Sequence, residues 1–296
     1  MSLKRIVAHA RDKERFTSLN DYITFCKGYL AYIEDHHQAE IVSLNENHYK
    51  FYQYDRSGNF QITRPINTNL IYSAREFART GKEFIKLLRH AKSRAKDNGA
   101  REVLNRTTYT MQQAIGAALD ALPAGQSNVA RKVNGDLFER LIQLVLAAIG
   151  VANRAGTIQV PVRFRGKELS RMRFQHDLIV ERDNKTKLIG SIKTSSKDRL
   201  AKIFIDKFLY WKLTGEKTPH IAIFLNDVQR KGKHPRYGIS ATFLPGHFKG
   251  YTVKLNPIDG VYYCDMRPNM RSDRVLSKHI KTFDELLVKD VWRLVE

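Results

Sequence analysis

The sequence predicts an α/β fold: a mixed β-sheet flanked by helices, preceded by an additional N-terminal α+β region. Three observations predict it. From Asn134 to Asn226 the patterns alternate as helix, strand, hairpin, helix and strand, the order that builds layered α/β domains. The run HIAIFLN at 220–226 is apolar almost throughout, as in a strand covered on both faces. Finally, residues 172–194 carry two β-type runs around Asp183-Asn184-Lys185-Thr186, residue types that hairpin loops favour.

Taken in order, residues 18–34 (SLNDYITFCKGYLAYIE) read as a helix. Residues 39–64 alternate polar and apolar side chains as a β-meander with a turn at Ser57-Gly58-Asn59. A long basic helix is expected over 72–98, striped by Phe77, Phe84, Leu87, Leu88 and Ala91, and a second over 106–121. PAGQSN at 123–128 reads as a linker, dividing the chain into regions 1–125 and 126–296. Beyond it, Asn134 suits the N-cap of a helix running through Ile149. A strand at 157–164 leads to hairpin arms at 172–180 and 187–194. Ser196 is expected to cap a helix to about Leu213, with Leu200, Ile203, Phe204, Phe208 and Trp211 on one face.

Composition narrows the function. Lys plus Arg number 51 against 30 Asp plus Glu, a net charge of +21. Such a surplus favours a polyanionic partner, because each phosphate neutralised releases counterions. Cys26 and Cys264, far apart, suit a reducing compartment and exclude a disulfide framework. No apolar stretch reaches membrane-spanning length and the first residues lack a signal-like core, so a cytoplasmic protein with no membrane partner is expected. GxxxxGK[ST], GxGxxG and GxSxG are all missing, which leaves nucleotide-driven, nicotinamide and serine-hydrolase chemistry without a visible site.

The hairpin carries the chemistry. Centring its turn between Asn184 and Lys185 sets Asp177 opposite Ile192, give or take about one residue of slippage, with Ser191 and Lys193 beside it. A carboxylate and a lysine so placed could hold a divalent metal and a phosphate oxygen together. Phosphodiester hydrolysis needs both, and hard Mg²⁺ prefers oxygen ligands.

Glu139 on the leading helix, Asp177 on one strand, and Ser191-Ile192-Lys193 on the next resemble the PD-(D/E)XK nuclease superfamily. The tail IKTSSKDR is similar to the stretch after the catalytic lysine in type II restriction endonucleases. The resemblance covers roughly residues 130–226. It implies a restriction-endonuclease-like fold and a Mg²⁺-dependent enzyme that cleaves double-stranded DNA at specific sites. It also implies a homodimer and a cognate DNA methyltransferase as genetic partner. Asp177 would be the central metal ligand and the Ile192 carbonyl another, while Lys193 would contact the scissile phosphate and orient or help deprotonate water. Region 126–296 would be catalytic, and region 1–125 would bind DNA or dimerise.

One departure matters: Ser191 stands where the family usually has an acid. Two acids are candidates to compensate. Asp206 lies thirteen residues after Lys193, a spacing at which some relatives recruit an acid. Glu139 sits at the edge of its helix's apolar arc. Ser191 itself could hydrogen-bond a metal-bound water. A structure-specific or repair nuclease of the same superfamily, or a silent nucleic-acid-binding protein that has lost its site, are the rival readings.

From Gln229 to Ile258 there is no Asp or Glu. Arg230, Lys231, Lys233 and Arg236, in the loop QRKGKHPRYG, suit phosphate contacts. Arg267, Asn269, Arg271 and Arg274 form a second candidate patch, of residue types that read guanine and adenine edges.

Overall fold

The structure is a computed structural model that describes residues 2–54, 62–233 and 235–296. Helices α1 (Leu3–Arg11) and α2 (Leu19–His36) lead into a small antiparallel sheet of β1 (Ala39–Val42), β2 (Tyr49–Gln53) and β3 (Ile66–Asn67). Helices α3 (Ala74–Leu88), α4 (Asn98–Leu119) and α5 (Ser127–Ala148) follow. The remainder includes β4 (Arg154–Phe164), β5 (Lys167–Arg182), β6 (Lys185–Ser195), α6 (Leu200–Thr214), β7 (His220–Asn226), the hairpin β8 (Val228–Lys233) and β9 (Arg236–Ala241), α7 (Pro245–Lys254), β10 (Gly260–Tyr263) and β11 (Ile280–Thr282), with short helical segments around β11. The turn expected at Ser57–Asn59 lies outside the described residues.

Capping explains several boundaries. Ser18 with Asp21, and Ser73 with Glu76, form capping boxes that start α2 and α3. The helix expected over 72–98 stops at Leu88. Asp97 then starts α4 by accepting a hydrogen bond from the Ala100 amide at 2.9 Å, so that helix begins well before residue 106. Asn134 is not a cap. It is buried inside α5, where its backbone and side-chain oxygens each accept from Gln112 Nε2 at 2.9 Å. Nor does Ser196 cap α6; its hydroxyl lies 3.2 Å from that of Thr242. The buried stripe of α6 is Ile203, Phe204, Lys207 and Tyr210, with Phe208 and Trp211 only half covered.

The central sheet has the order β11-β10-β7-β6-β5-β4. β11, β10, β7 and β6 run parallel, while β5 and β4 close the edge as antiparallel strands. All seven residues of β7 are buried, as a strand walled by helices on both sides must be. On one face, Leu178, Leu188, Ile192 and Ile223 share a core with Leu137, Leu141 and Leu146 of α5 and with Tyr22, Leu104 and Met111. This core runs without a break across residues 123–128. On the other face, Ile203 and Phe204 of α6 pack with Phe224, Phe248 and Tyr263. Burying each such side chain stabilises by about 1.5–3 kcal/mol before entropy is counted. No helix among the described residues is long and apolar enough to cross a membrane.

Candidate active site

The hairpin turns through Asp183 and Asn184, both left-handed at φ 52° and 58°, a two-residue turn of the type that matches strand twist. Its closing pairs are Arg182↔Lys185 and Glu181↔Thr186, so the turn lies one place earlier than expected. Lys187 is then an extra residue in β6, after which Val180↔Leu188, Ile179↔Ile189 and Leu178↔Gly190 pair. Continued by one step, this register sets Asp177 level with Ser191, one residue from Ile192 and within the expected slippage. Glycine is needed at 190, because a Cβ there would lie 2.9 Å from Leu178 Cδ2. The ladder ends at that pair, and beyond it β5 and β6 part.

A second irregularity aims Asp177 into the opening. Arg154 pairs with Ile179 and Gly156 with His176, so Ala155 of β4 faces two residues of β5, Asp177 and Leu178. Such a bulge redirects side chains and is common beside active sites. Here His176 packs with Phe174 and His220, while Leu178 enters the α5-side core. The Asp177 backbone carbonyl accepts from Gln143 Nε2 of α5 at 2.8 Å. Its carboxylate accepts from the Ile192 amide at 2.8 Å, replacing the missing ladder bond. In a strand, the N–H and C=O of one residue point to the same side, so the Ile192 carbonyl is directed into the same gap.

Lys193 Nζ stands between two carboxylates, 2.6 Å from Asp177 Oδ2 and 2.7 Å from Glu139 Oε1. The three side chains retain 31%, 16% and 28% of their exposure for Lys193, Asp177 and Glu139, so the cluster is half sheltered yet open. Burial opposes the charge on Lys193, but the charges and hydrogen bonds of Asp177 and Glu139 outweigh it and raise its pKa. Burial, followed by the Asp177 charge, raises that of Glu139. Ser191 is half-buried one step before Ile192.

Asp206 is held apart from this trio by its place on α6. It is ion-paired with Lys202 and its side chain is 18% exposed. After desolvation, its charge is the largest influence on His176, so it faces β5 on the side away from α5.

Lys231, Lys233 and Arg236 are exposed on the β8–β9 hairpin, whose root packs Val228, Tyr237 and Ile239 against Tyr49 and Phe51. Arg230 lies 5.3 Å over the Tyr237 ring. Asn269, Arg271 and Arg274 are exposed, whereas Arg267 is turned inward to Glu46 at 2.6 Å. Gln143 escaped the sequence reading. Its position four residues after Glu139, on the same helix face, is the signal that could have found it.

No protein-family model matches the sequence, and no curated protein matches it. Solved structures do. The type IIP restriction endonuclease Kpn2I aligns with a TM-score of 0.74 over 99% of this chain and 97% of its own, at 16% identity. The restriction endonuclease PspGI, in complex with substrate DNA, aligns with a TM-score of 0.44 over 72% of this chain and 92% of its own, at 12% identity. The likeness to Kpn2I spans both chains almost end to end, and this chain therefore has the restriction-endonuclease-like fold.

Proposed function

We propose that the protein is a Mg²⁺-dependent endonuclease of the type II restriction class, hydrolysing double-stranded DNA at a specific sequence. The observation that carries this reading is the Lys193 ammonium held between Asp177 and Glu139 where β5 and β6 part. Two carboxylates already converge there on a cation. With the Ile192 carbonyl they form an all-oxygen donor set that suits Mg²⁺. Asp177 and the Ile192 carbonyl would hold the ion, and Glu139 or Asp206 would supply the carboxylate that Ser191 does not. When bound, Mg²⁺ supplies charge neutralisation at the phosphate and lowers the pKa of water.

The chain's own residues do the rest. Lys193, kept protonated by its two acids, donates hydrogen bonds to the scissile phosphate as negative charge develops on it. That makes it a donor rather than a base. Glu139, whose proton affinity burial raises, is the better proton acceptor. Ser191 can hydrogen-bond the water. A water oxygen bonds to phosphorus, the P–O3′ bond breaks, and the products are a 5′-phosphate and a 3′-hydroxyl. Lys231, Lys233 and Arg236, with Arg230, would contact the DNA backbone, and Asn269, Arg271 and Arg274 base edges; Arg267 would support that patch from beneath. A two-fold site would be served by a homodimer, with a cognate methyltransferase protecting host DNA.

The test is incubation with plasmid DNAs of known sequence, with Mg²⁺ and with EDTA. Discrete fragments that require Mg²⁺ and vanish in Asp177→Ala and Lys193→Ala are expected. Cutting that survives both substitutions, or that follows DNA junctions rather than sequence, overturns the reading.

A further inference from the structure

Strands β4 and β5 outrun the rest of the sheet. β5 pairs with β6 only from Leu178 to Arg182, but with β4 from Lys167 to Ile179. Because β5 runs antiparallel to β6, which ends at Ser195, its residues before Arg173 extend past the end of β6 that carries Lys193. The result is a two-stranded ribbon overhanging the active-site edge. Its root is fixed, since Val160 and Phe174 are buried with Ile189 and Tyr210. Its outer part is exposed on both strands from Arg163 to Arg171.

We infer that this ribbon is a DNA-gripping arm, set across the active site from the β8–β9 hairpin; this rests on the nuclease reading above. Charge is the first argument. Arg163, Arg165, Lys167, Arg171 and Arg173 face a single acid, Glu168, which is paired with Arg171 at 2.9 Å. Topology is the second. β6 lies between β7, which continues into the basic β8–β9 hairpin, and β5, which continues into the ribbon. A duplex laid on Lys193 therefore has a basic arm on either side. Reach is the third. Arg173 and Arg171 share a strand face with Asp177, about 13 and 20 Å away at 3.3 Å per residue. A two-stranded ribbon also fits the major groove, which is about 12 Å wide.

The tip sharpens the assignment. Arg165 and Gly166 make a tight turn at φ 49° and 81°. Phe164 and Leu169 beside it are 59% and 67% exposed. Exposed apolar residues on a cationic arm are the kind that meet thymine methyl groups in the major groove. A second copy of the chain is the other candidate occupant, but β4 is built against strand pairing. Pro161 sits in this edge strand and its register slips between Val162 and Arg163.

The test uses the full chain and a 30-base-pair duplex, with binding followed by fluorescence anisotropy in EDTA from about 50 to 300 mM NaCl. The triple substitution Arg163→Ala, Arg165→Ala, Lys167→Ala should weaken binding at least tenfold at 100 mM salt. It should also reduce the salt slope by about 2–3, close to 0.9 per lost phosphate contact. In addition, Lys167→Cys carrying a photo-crosslinker should transfer to DNA, and labelling is selective because Cys26 and Cys264 are buried. A triple variant that matches the wild type in affinity and slope, with no crosslink, overturns the inference and leaves the nuclease reading intact. So does a triple variant that loses only self-association in sedimentation. A wild-type chain that binds no duplex brings down both readings.

Discussion

Two ionic clusters sit at the carboxyl ends of neighbouring parallel strands, and they differ in what satisfies their acids. At the end of β6, Asp177 and Glu139 share the ammonium of Lys193 in a gap that solvent reaches. Just past β7 and β10, Asp227 and Asp265 are buried at 1% and 3% exposure. Asp265 accepts from Tyr49 Oη at 2.9 Å and from Asn67 Nδ2 at 2.8 Å. Arg267 serves Glu46 at 2.6 Å and approaches Asp227 at 3.9 Å. Burial pushes Asp227 up to about 7 and Asp265 to about 6. Through Asp265, Tyr49 and Asn67 tie the N-terminal sheet to the end of β10. The first cluster is compensated mainly by one flexible side chain, which an incoming phosphate can draw away. Exposure and an exchangeable partner, rather than charge density, set the first cluster apart.

The largest expected effects break that comparison directly. Asp177→Asn or Lys193→Ala should lower the cleavage rate by about 10³-fold or more, on the scale of losing a preorganised transition-state group. Either variant should shift Tm by only a few degrees, since both side chains are partly solvated. Arg267→Ala should do the reverse. It takes the guanidinium away from half-buried Glu46 and from buried Asp227, at a cost of up to about 3 kcal/mol. Because the proposed base-reading patch rests on it, DNA affinity should weaken, but single-turnover cleavage at saturating enzyme should fall far less than in the Lys193 variant. Thermal melts beside single-turnover cleavage decide the matter, and a Lys193 variant that melts as low as the Arg267 variant would erase the distinction.

A smaller effect separates the two acids that could replace the carboxylate missing at position 191. Glu139 touches Lys193, whereas Asp206 acts from α6 across β5. Glu139→Gln and Asp206→Asn should each reduce cleavage by about 10–10²-fold, the range for losing a supporting metal contact. The variant that also weakens Ca²⁺ binding, measured calorimetrically without DNA, identifies the ligand. If neither weakens it, Asp177 and the Ile192 carbonyl hold the ion unaided.

These clusters also show where sequence reasoning reaches and where it stops. The apolar run of β7 and the hairpin are local signals, and the sheet contains both. The turn lies one place earlier because Asp183-Asn184 takes the left-handed backbone, and the extra residue Lys187 then returns half of the resulting change in register. Asn134 looks like a cap until Gln112, distant in sequence, is seen to claim its oxygens. The bulge at Asp177 depends on the register of β4, some twenty residues away, which no local pattern encodes. Asp265 and Arg267 gave no sign of being buried, since their partners come from the first 70 residues.

The smallest effect concerns a buried group with neither kind of compensation. His220 is 3% exposed; its Nδ1 lies 2.8 Å from the Thr218 carbonyl, and its Nε2 is buried without a hydrogen-bond partner among the described residues. Tyr210 and His176 pack against the ring. Burial holds its pKa down at about 4, so the folded ring stays neutral while the unfolded one takes a proton below about 6.5. Stability from this group is therefore complete above pH 6.5 and is lost as pH falls towards 4. His220→Phe keeps an aromatic ring but removes the titration, and it forfeits the Thr218 bond at a roughly constant cost of about 1 kcal/mol. Relative to this variant, the wild type should lose up to about 3 kcal/mol between pH 6.5 and 4, with no change in the difference above pH 7. Denaturant melts of the pair across that range measure it. A difference that stays flat to pH 4 would mean that water reaches the ring, and that the floor beneath His176 is as open as the cluster of Asp177.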